Sequence, residues 1–493
     1  MAPLAPGLLG ARHTVDRSLL RALYEVVGEA GLISDFAGCL PYECDALAII
    51  SQRPELVVLP ADTEEAARAM AILHAAHIPV VPRGAGTGLA GGATPRADAA
   101  VLSVARMKQV FEINAADRCA RLGAGVVNAH ITEACNHHRL FYAPDPSSQR
   151  ACTIGGNVGT NAGGPHGLRY GSTTRHILGL VVVAPNGEII DLSHPQPDPT
   201  DLDLVGLFTG SEGMFGVATE VTVSLLPQPA VTETLLAIFS SLDHACDTVS
   251  AIIAAHLEPA ALEILDALTI RAVEDSVYAA GYPRAAQAVL LVEAEGSEFE
   301  VDTTMSAISS LLTEHRCIET RRARDESERT RLWAGRKGAF GAMGRIAPDL
   351  FVADVVVPRT RLREMVRRAT DICQELGLRM ANVFHAGDGN LHPNICFDRR
   401  DAEELGRVLQ AGEQIMAACL AMGGSLSGEH GIGLEKQANM ANQFEAADLS
   451  VMERVRGALD PERLLNPGKL LPNRSCLELG DGWLPPTTTG ALR

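Results

Sequence analysis

The sequence predicts an α+β protein of two or three domains, and three observations lead to this fold class. Short apolar runs alternate with helix-like segments from about residue 51 onward. Hydrophobic residues make up 46% of the 493 residues, which is enough for sizeable cores at roughly 150 residues per domain. The longest apolar stretch, residues 177–184, is far shorter than the ~20 residues of a membrane-spanning helix.

Charge and cysteine usage exclude several classes of function. The chain has 42 basic and 60 acidic residues and a net charge of −18, so we expect no nucleic-acid partner. None of the 11 cysteines forms a CxxC pair, which argues against an Fe–S cluster or a zinc ribbon in this chain. Free thiols and the lack of a basic region at Met1–Pro6 predict a cytoplasmic protein without a secretory signal.

The first elements are justified by apolar spacing and capping residues. Residues 1–50 are expected to form an N-terminal helical segment, because apolar residues between 19 and 27 recur at helical spacing. Leu56–Leu59 is predicted to be a buried strand that ends at Pro60. Asp62 is a suitable N-cap for a helix that runs to about His77. A second strand is predicted at 78–82.

Three glycine-rich clusters follow, at residues 84–92, 153–171 and 210–216. The first contains the pattern GxGxxG at 86–91, but a strand at 100–104 follows it where a Rossmann fingerprint requires a helix. Glycine also lets backbone N–H groups approach phosphates, since no Cβ is in the way. The clusters are therefore either tight turns between strands or the lining of one extended ligand, and their number favours the ligand.

The second half begins after Pro227–Pro229, where we expect a domain boundary. Strands at 235–239 and 288–293 are predicted to alternate with helices near 244–256, 297–314 and 402–422. A hairpin with its turn at 387–390 would bring His385 beside His392, with Asn394 on the same face as His392. Two convergent imidazoles predict a divalent-metal pair, and the alternative is a pair of hydrogen-bonded hairpin histidines.

The segment 425–433 places a Glu-His pair between glycines. Glu429 could complete the metal site and leave His430 free as a base. Two alternatives remain open: His430 could itself be the third metal ligand, or the pair could lie on the surface after a helix end.

The glycine clusters also resemble a known family. Their order and spacing, with the intervening Asp145–Ser148 and Arg169–Gly171, resemble the PCMH-type FAD-binding domain of the vanillyl-alcohol oxidase superfamily. The resemblance implies two α+β subdomains with FAD between them, bound non-covalently because the first loop has no attachment signature. The residues that it implies for the cofactor are Pro82, Arg83, Gly84, Ala85, Gly86, Thr87, Gly88, Pro146, Ser147, Ser148, Gly155, Gly156, Asn157, Asn161, Gly163, Gly164, Tyr170, Gly210, Glu212, Gly213, Val217 and Asn466.

The second half resembles the C-terminal FAD-linked oxidase domain of bacterial D-2-hydroxy-acid dehydrogenases, and most closely those of the glycolate-oxidase type. The likeness rests on residues 385–392 (HAGDGNLH), 428–433 (GEHGIG) and 466–469 (NPGK). It implies an α/β C-terminal cap domain beside the FAD-binding domain. The expected division is a helical segment at 1–50, an FAD-binding domain at 51–228, a cap domain with an antiparallel sheet at 229–425, and a C-terminal helical segment at 426–493 that closes on the flavin.

The same resemblance implies roles for single residues. His385, His392 and Glu429 match metal ligands, for Zn or Mn, and His430 matches the catalytic base. Asn394 matches an active-site polar residue, and Arg336 matches the anchor of the substrate carboxylate, where a planar guanidinium suits bidentate binding.

The implied function is hydride transfer from a small 2-hydroxy acid to FAD. The 2-hydroxyglutarate enzymes of the family carry a Lys where Phe351–Ala353 stands here, which favours a small monocarboxylate. Glycolate, oxidised to glyoxylate, is the first expectation and D-lactate is the alternative. A non-catalytic flavoprotein subunit is the second alternative, and an aromatic-alcohol oxidase fits the Arg and His residues poorly.

The resemblance also implies partners: a second FAD-domain subunit and an Fe–S subunit of a glycolate oxidase complex. Peripheral attachment to the inner face of the membrane through these subunits, and a homodimer, are further expectations.

Overall fold

The computed structural model describes residues 15–193 and 202–472. Residues 1–14 of the predicted N-terminal segment and 473–493 of the predicted C-terminal segment lie outside the described residues. Helices and three larger sheets share the described chain, so the predicted α+β class is confirmed.

The first sheet has four strands in the order β1-β2-β4-β3, in which β1 is antiparallel and the others are parallel. Its elements are α1 (Arg17–Val27), β1 (Leu32–Ile33), α2 (Phe36–Cys39), β2 (Leu56–Val58), α3 (Thr63–Ala75), β3 (Val80–Arg83) and β4 (Ala100–Ser103). Asp62 caps α3 as predicted, by accepting a hydrogen bond from the Glu65 N–H. The helix ends at Ala75 because His77 takes a left-handed conformation with φ of 52°. The expected helical segment 1–50 thus also contributes strand β1 to this sheet.

The second sheet is antiparallel, with five strands in the order β5-β6-β10-β8-β9. This part contains β5 (Val110–Asn114), β6 (Cys119–Gly123), α4 (Asn128–Cys135), β7 (Leu140–Phe141), α5 (Ile154–Thr160), α6 (Gly167–Tyr170), β8 (Ile177–Val183), β9 (Ile189–Leu192), α7 (Leu204–Phe208), β10 (Val217–Ser224) and β11 (Leu226–Pro227), which pairs with β7. The second glycine cluster is partly helical: α5 begins after Thr153, whose Oγ1 accepts from the Gly156 N–H, and ends at Asn161 with φ of 50°. Asparagine tolerates this left-handed conformation better than most residues.

The third sheet is antiparallel throughout and has nine strands. Its main path is β15-β12-β14-β13-β18-β19-β17, and β20 joins β18 to β16. The elements are β12 (Val231–Phe239), α8 (Leu242–Ala254), β13 (Ala261–Asp266), α9 (Ala267–Glu274), β14 (Ala288–Gly296), α10 (Glu298–Glu314), β15 (Glu319–Arg322), α11 (Glu326–Lys337), α12 (Ala339–Met343), β16 (Asp349–Val352), β17 (Val355–Val356), α13 (Leu362–Glu375), β18 (Arg379–His385), β19 (Asn390–Leu391), β20 (Pro393–Phe397) and α14 (Ala402–Ala421).

Both faces of this sheet are buried, which explains why its strands are continuous apolar runs. Along β12, Leu235 and Phe239 belong to one apolar core, whereas Leu236 and Ile238 belong to another on the opposite face. Because successive side chains of a strand alternate between faces, a sheet covered on both sides needs apolar residues at every position.

The chain then returns to the first sheet through α15 (Met440–Gln443) and α16 (Ala446–Leu459). The N–H of Val80 donates to the Leu464 carbonyl at 2.8 Å, and the N–H of Asn466 donates to the Val80 carbonyl at 2.7 Å. The last described residues therefore lie beside β3, next to the first glycine cluster. The domain boundaries at residues 50, 228 and 425 stay a prediction.

A search of the described residues for membrane-crossing helices finds none with the necessary length and apolarity.

Candidate active site

The three glycine clusters line one cavity of about 480 Å³. A Cβ on Gly84 would lie 2.5 Å from the Thr153 Oγ1 and 3.1 Å from the Gly156 Cα. The first and second clusters therefore approach each other where only glycine fits, which is the condition for main-chain N–H groups to reach a phosphate. The extended, glycine-walled shape fits the FAD that the sequence resemblance implies.

Most of the predicted cofactor residues line this cavity. They are Pro82, Arg83, Gly84, Ala85, Gly86, Thr87, Gly88, Pro146, Ser147, Ser148, Gly155, Gly156, Asn157, Gly163, Glu212, Gly213 and Val217. Five predicted residues do not line it: Asn161, Gly164, Tyr170, Gly210 and Asn466.

Three of these five residues make their contacts elsewhere. The Asn466 Nδ2 donates to the carbonyls of Gly92 at 3.2 Å and of Glu212 at 2.6 Å, so it ties the first cluster to the third. The Tyr170 hydroxyl donates to Glu295 of β14 at 2.6 Å and faces the third sheet. Asn161 ends α5, and its Oδ1 accepts from the Thr174 N–H at 2.9 Å.

Glu212 connects the third cluster to the predicted Glu-His segment. Its carboxylate accepts hydrogen bonds from the N–H groups of Ile432 at 2.6 Å and Gly433 at 2.8 Å. As a result Glu429 and His430, far along the chain, line the same cavity as the glycine clusters.

His385, His392 and Glu429 converge as the sequence predicts. The Nε2 atoms of His385 and His392 lie 3.2 Å and 3.0 Å from the same Glu429 Oε1. One donor atom from each residue lies within 4.8 Å of the other two. The two histidine rings are perpendicular, with centroids 5.2 Å apart. The hairpin β18–β19 thus delivers both imidazoles to one carboxylate.

This donor set fits a divalent metal. Burial lowers the pKa of His392 to about 4, so its imidazole is neutral and can ligate. Burial alone would raise the pKa of Glu429, but the neighbouring histidines, led by His385, hold it well below its usual range. Two imidazoles and one carboxylate form a ligand set known from catalytic zinc sites. Which ion binds stays a prediction.

His430 is placed next to this set. Its ring stacks on that of His392, with centroids 4.9 Å apart and an interplanar angle of 7°. Burial alone lowers the pKa of His430, but the carboxylates of Asp354 and Glu429 raise it above its usual value. A raised pKa favours acceptance of a proton.

A buried carboxylate, Asp354, holds the backbone of this segment in place. It accepts hydrogen bonds from the Ser427 hydroxyl at 2.6 Å and from the N–H of His430 at 3.1 Å. It also accepts hydrogen bonds from the Gly428 N–H at 3.2 Å and from the Lys436 ammonium at 2.9 Å. These contacts fix the loop from which Glu429 and His430 project.

Arg336 is fully buried in α11 rather than exposed on the cavity. Its Nε donates to Glu263 at 2.5 Å, and its Nη2 lies 3.3 Å from the Nδ1 of His385. Glu263 is opposite His385 across the β13–β18 pair, and its other oxygen lies 2.8 Å from the same Nδ1. The Nη1 of Arg336 is buried without a hydrogen-bond partner.

Asn394 is also fully buried. The expected returning strand is interrupted at His392, since Pro393, which lacks an N–H, begins β20. The Asn394 Nδ2 donates to the His392 carbonyl at 2.5 Å, and its Oδ1 has no partner. Asn394 thus supports the histidine from the backbone side.

Sequence reasoning did not identify several residues of the site. Glu263 and Asp354 hold the histidine cluster, while Lys337 and Phe340 line the cavity itself. Lys337 is adjacent to Arg336, so a search for cations near the predicted anchor could have found it. Glu263 gives no local signal, because its partner His385 is distant in sequence.

Comparisons with known proteins agree with this geometry. Residues 54–193 match the FAD binding domain family, and residues 228–470 match the family of FAD linked oxidases, C-terminal domain. The chain is 46% identical to the glycolate oxidase subunit GlcD of Escherichia coli strain K12, over 96% of this chain and 95% of that protein. It is 31% identical to a D-lactate dehydrogenase of Anaerostipes hadrus, over 86% of this chain and 91% of that protein.

The fold is also found in a solved structure. The structure of p-cresol methylhydroxylase with bound substrate superposes with a TM-score of 0.79 at 15% identity, covering 93% of this chain and 97% of the other. The predicted architecture, an FAD-binding domain followed by a C-terminal oxidase domain, is therefore confirmed. This chain, with both domains present in order and its glycine clusters around one cavity, belongs to the family of FAD-linked oxidases and is a flavoprotein oxidoreductase.

Proposed function

We propose that the protein is a dehydrogenase that depends on FAD and a divalent metal and oxidises a small 2-hydroxy acid, with glycolate as the preferred substrate and glyoxylate as the product. One observation carries the proposal: His430 stacks against a converging His-His-Glu donor set at the wall of the FAD cavity. Oxidation of a 2-hydroxy acid needs a base for the hydroxyl proton and an acceptor for the hydride, and a metal beside them would lower the pKa of the hydroxyl. The similarity to GlcD and to D-lactate dehydrogenase supports this class of substrate.

Oxidation of glycolate removes one hydride from C2 and one proton from the 2-hydroxyl, and it leaves a C2=O double bond. Bound FAD would supply the hydride acceptor, and a bound metal would supply polarisation of the 2-hydroxyl oxygen. His430 takes the hydroxyl proton, a role worth roughly a hundred- to ten-thousand-fold in rate. His385, His392 and Glu429 would hold the metal.

Arg336 and Asn394 complete the proposed machinery. The Nη1 of Arg336 and the Oδ1 of Asn394 are both buried without partners, and a buried unsatisfied polar atom is costly unless a ligand satisfies it. Arg336 does not line the cavity, so we propose that its free Nη1 supports the substrate carboxylate from behind the cavity wall, while Glu263 fixes the orientation of the guanidinium.

The size of the substrate follows from the cavity wall. The C-terminal half contributes the apolar side chains of Phe340, Leu350 and Val352 to this wall. A hydrogen or a methyl group on C2 suits this wall, whereas a second carboxylate would be desolvated against it. D-Lactate is the second candidate, because its methyl group fits the same wall.

The test is anaerobic addition of glycolate, D-lactate and D-2-hydroxyglutarate to the purified flavoprotein while flavin absorbance is followed. We expect bleaching by glycolate and, more slowly, by D-lactate. Bleaching by none of the three would overturn the proposal and favour a non-catalytic flavoprotein subunit. His430→Ala should lose most of the reduction rate, whereas the matched control His244→Ala, in α8 of the cap domain and outside the cavity lining, should keep it.

Partners are proposed from the relatives. GlcD is named as a subunit of glycolate oxidase, so we propose that this chain also works in a complex, with a second FAD-domain subunit and an Fe–S subunit. Peripheral attachment to the membrane through those subunits, a homodimer and a cytoplasmic location stay predictions.

A further inference from the structure

We propose that Lys337 is a second anchor of the substrate carboxylate. Lys337 meets the carboxylate from the cavity, whereas Arg336 lies behind the cavity wall. This inference rests on the proposed function, because it concerns how the same site holds its acid. It begins from a mismatch: Arg336 is fully buried against Glu263 and does not line the cavity, whereas its neighbour Lys337 does.

The two neighbours face different surroundings because successive residues of an α-helix are rotated by about 100°. Arg336 points to the third sheet, where it meets Glu263 and His385. Lys337, the last residue of α11, keeps 28% of its side chain exposed, and its ammonium lies 5.8 Å from the centroid of the Trp333 ring. The helix therefore presents one cation to the interior and one to the cavity.

Lys337 lies at the end of the cavity that holds the candidate base. Its Nζ is 3.2 Å from the Asp145 carboxylate. A Cβ on Gly164 would lie 2.6 Å from the Asp145 carbonyl, and a Cβ on the preceding Gly163 would lie 2.8 Å from the Glu429 Oε2. Gly164 thus lies against Asp145, the partner of Lys337, and the adjacent Gly163 lies against the candidate metal ligand Glu429.

A second contact places Lys337 at the same end. Phe340, three residues further along and also part of the cavity lining, has its ring centroid 6.5 Å from that of His392. His392 in turn stacks on His430. The chain from Lys337 to Phe340 therefore follows the wall toward the histidine cluster.

The ammonium of Lys337 has hydrogen-bonding capacity left. It carries three N–H donors, and its one hydrogen bond within the described chain goes to Asp145. The Nδ1 of His166 also lies 2.9 Å from the Asp145 carboxylate. The negative charge of Asp145 is therefore shared between two cations, Lys337 and His166. The remaining donors of Lys337 are free for a carboxylate.

Other cations of the cavity are not available for this task. Among the described residues that line it, Arg83 and Lys337 are the only Arg or Lys side chains. The Nη1 of Arg83 donates to the Cys44 carbonyl at 2.8 Å, and its guanidinium lies under the first glycine cluster. Lys337 is therefore the lining Lys or Arg, among the described residues, that has donors free for a carboxylate.

The experiment measures binding of a carboxylate that cannot react. Oxamate is a small 2-oxo acid without a hydrogen on C2, and oxamide replaces its carboxylate with a neutral amide. Dissociation constants for both are measured by titration calorimetry on the FAD-loaded wild type, Lys337→Met and Lys337→Arg. We expect Lys337→Met to weaken oxamate by about 10- to 100-fold, as for loss of a hydrogen bond to a charged group, and to leave oxamide unchanged. Lys337→Arg should keep most of the oxamate affinity.

Arg331→Met, which removes a half-exposed cation from the same helix, is the matched control and should bind oxamate as the wild type does. An unchanged oxamate affinity in Lys337→Met, or no binding of oxamate by the wild type, would overturn the anchor. So would a shift in the flavin spectrum of ligand-free Lys337→Met with unchanged oxamate affinity, since Lys337 would then act on the flavin. The proposed function fails separately, if no 2-hydroxy acid reduces the wild-type flavin.

Discussion

Asp354 is the buried carboxylate that holds the loop of Glu429 and His430, and its replacement by Asn is our most informative prediction. The change keeps the size of the side chain and removes its charge. Asp354 accepts from the Ser427 hydroxyl, from the Gly428 and His430 N–H groups and from the Lys436 ammonium. An amide has one acceptor oxygen. If that oxygen takes the place of Oδ2, the N–H groups of Gly428 and Glu429, which also reach Oδ1 at 3.2 Å and 3.4 Å, face the NH₂ group.

The expected loss of stability follows from this count. Asp354 and Lys436 are both fully buried, with 2.9 Å between their charged atoms. Removing one member of a buried ion pair costs roughly 3–5 kcal/mol, because the other charge is left without compensation. Because Asn retains one oxygen, we expect a loss of stability at the lower end of this range, about 3 kcal/mol. At ~2–4 °C per kcal/mol, this loss lowers the melting temperature by about 6–12 °C.

The loss of activity is expected to exceed what instability explains. A displacement of His430 by about 1 Å would cost on the order of 100-fold in rate, and the anaerobic rate of flavin reduction by glycolate measures it at a temperature where the variant is folded. Thermal unfolding measures stability in parallel. Asp398→Asn, at a half-exposed carboxylate paired with Arg400, is the control and should change neither quantity.

A double variant separates the two roles of Asp354. Asp354→Leu with Lys436→Met removes both buried charges, and replacement of a buried ion pair by apolar residues is often close to neutral for stability. The melting temperature should then recover in part, because the unpaired buried charge is gone but the loop N–H groups still lack their acceptor. The rate should stay low for the same reason. Recovery of the rate in the double variant, or a wild-type rate in Asp354→Asn, would refute the positioning role.

Three further predictions concern the interdomain contact, the cavity and the metal site. Burial alone lowers the pKa of His166, but the Asp145 and Glu293 carboxylates raise it to about 10, against ~6.5 in the unfolded chain. Its stabilisation is thus complete below pH ~6.5 and is lost as the pH rises toward about 10, so urea midpoints should fall over this window in the wild type and less in His166→Gln. Gly84→Ala places a Cβ 2.5 Å from a side-chain oxygen of the second cluster and should lower the FAD content measured by absorbance, and a fully loaded variant would contradict this. Glu429→Gln should lose ~10-fold or more in metal affinity, measured by elemental analysis after dialysis, and full retention would remove Glu429 from the ligand set.

The parts of the site that sequence predicts are those with a strong local signal. Glycine clusters mark places where backbone must approach a ligand or another backbone, and Gly84 shows this directly. His385 and His392 could be paired because a short hairpin connects them, and β18–β19 has that form. In both cases the constraint acts within a few residues of the chain.

The supporting residues could not be predicted because their partners are remote. Glu263 meets His385 only through the register of β13 against β18, which the whole third sheet fixes. Asp354 meets Lys436 across the return of the chain from the third sheet to the cavity. Neither residue differs from an ordinary buried or surface carboxylate until the tertiary structure pairs it.

The orientation of α11 is the clearest example of a feature that the sequence could not predict. Arg336 and Lys337 are neighbours in one motif. The family resemblance points to Arg336 as the anchor, whereas Lys337 is the one that lines the cavity. This difference depends on the rotation of the helix, which Leu332 and Trp333 set by packing into the core of the third sheet. This rotation turns Arg336 toward Glu263 and Lys337 toward the cavity.

Recognition of an anion by a chain of net charge −18 depends on local charges rather than on the overall field. Surface charges are screened over a Debye length of about 8 Å at physiological ionic strength, whereas partly buried charges are screened much less. Lys337 lines the cavity and Arg336 lies buried behind its wall. Each is held by a carboxylate, Asp145 for Lys337 and Glu263 for Arg336. These carboxylates orient the two cations before a substrate arrives, so less ordering is required on binding. The acidic surface and an anionic substrate are therefore compatible, because the charges that matter are within the cavity wall.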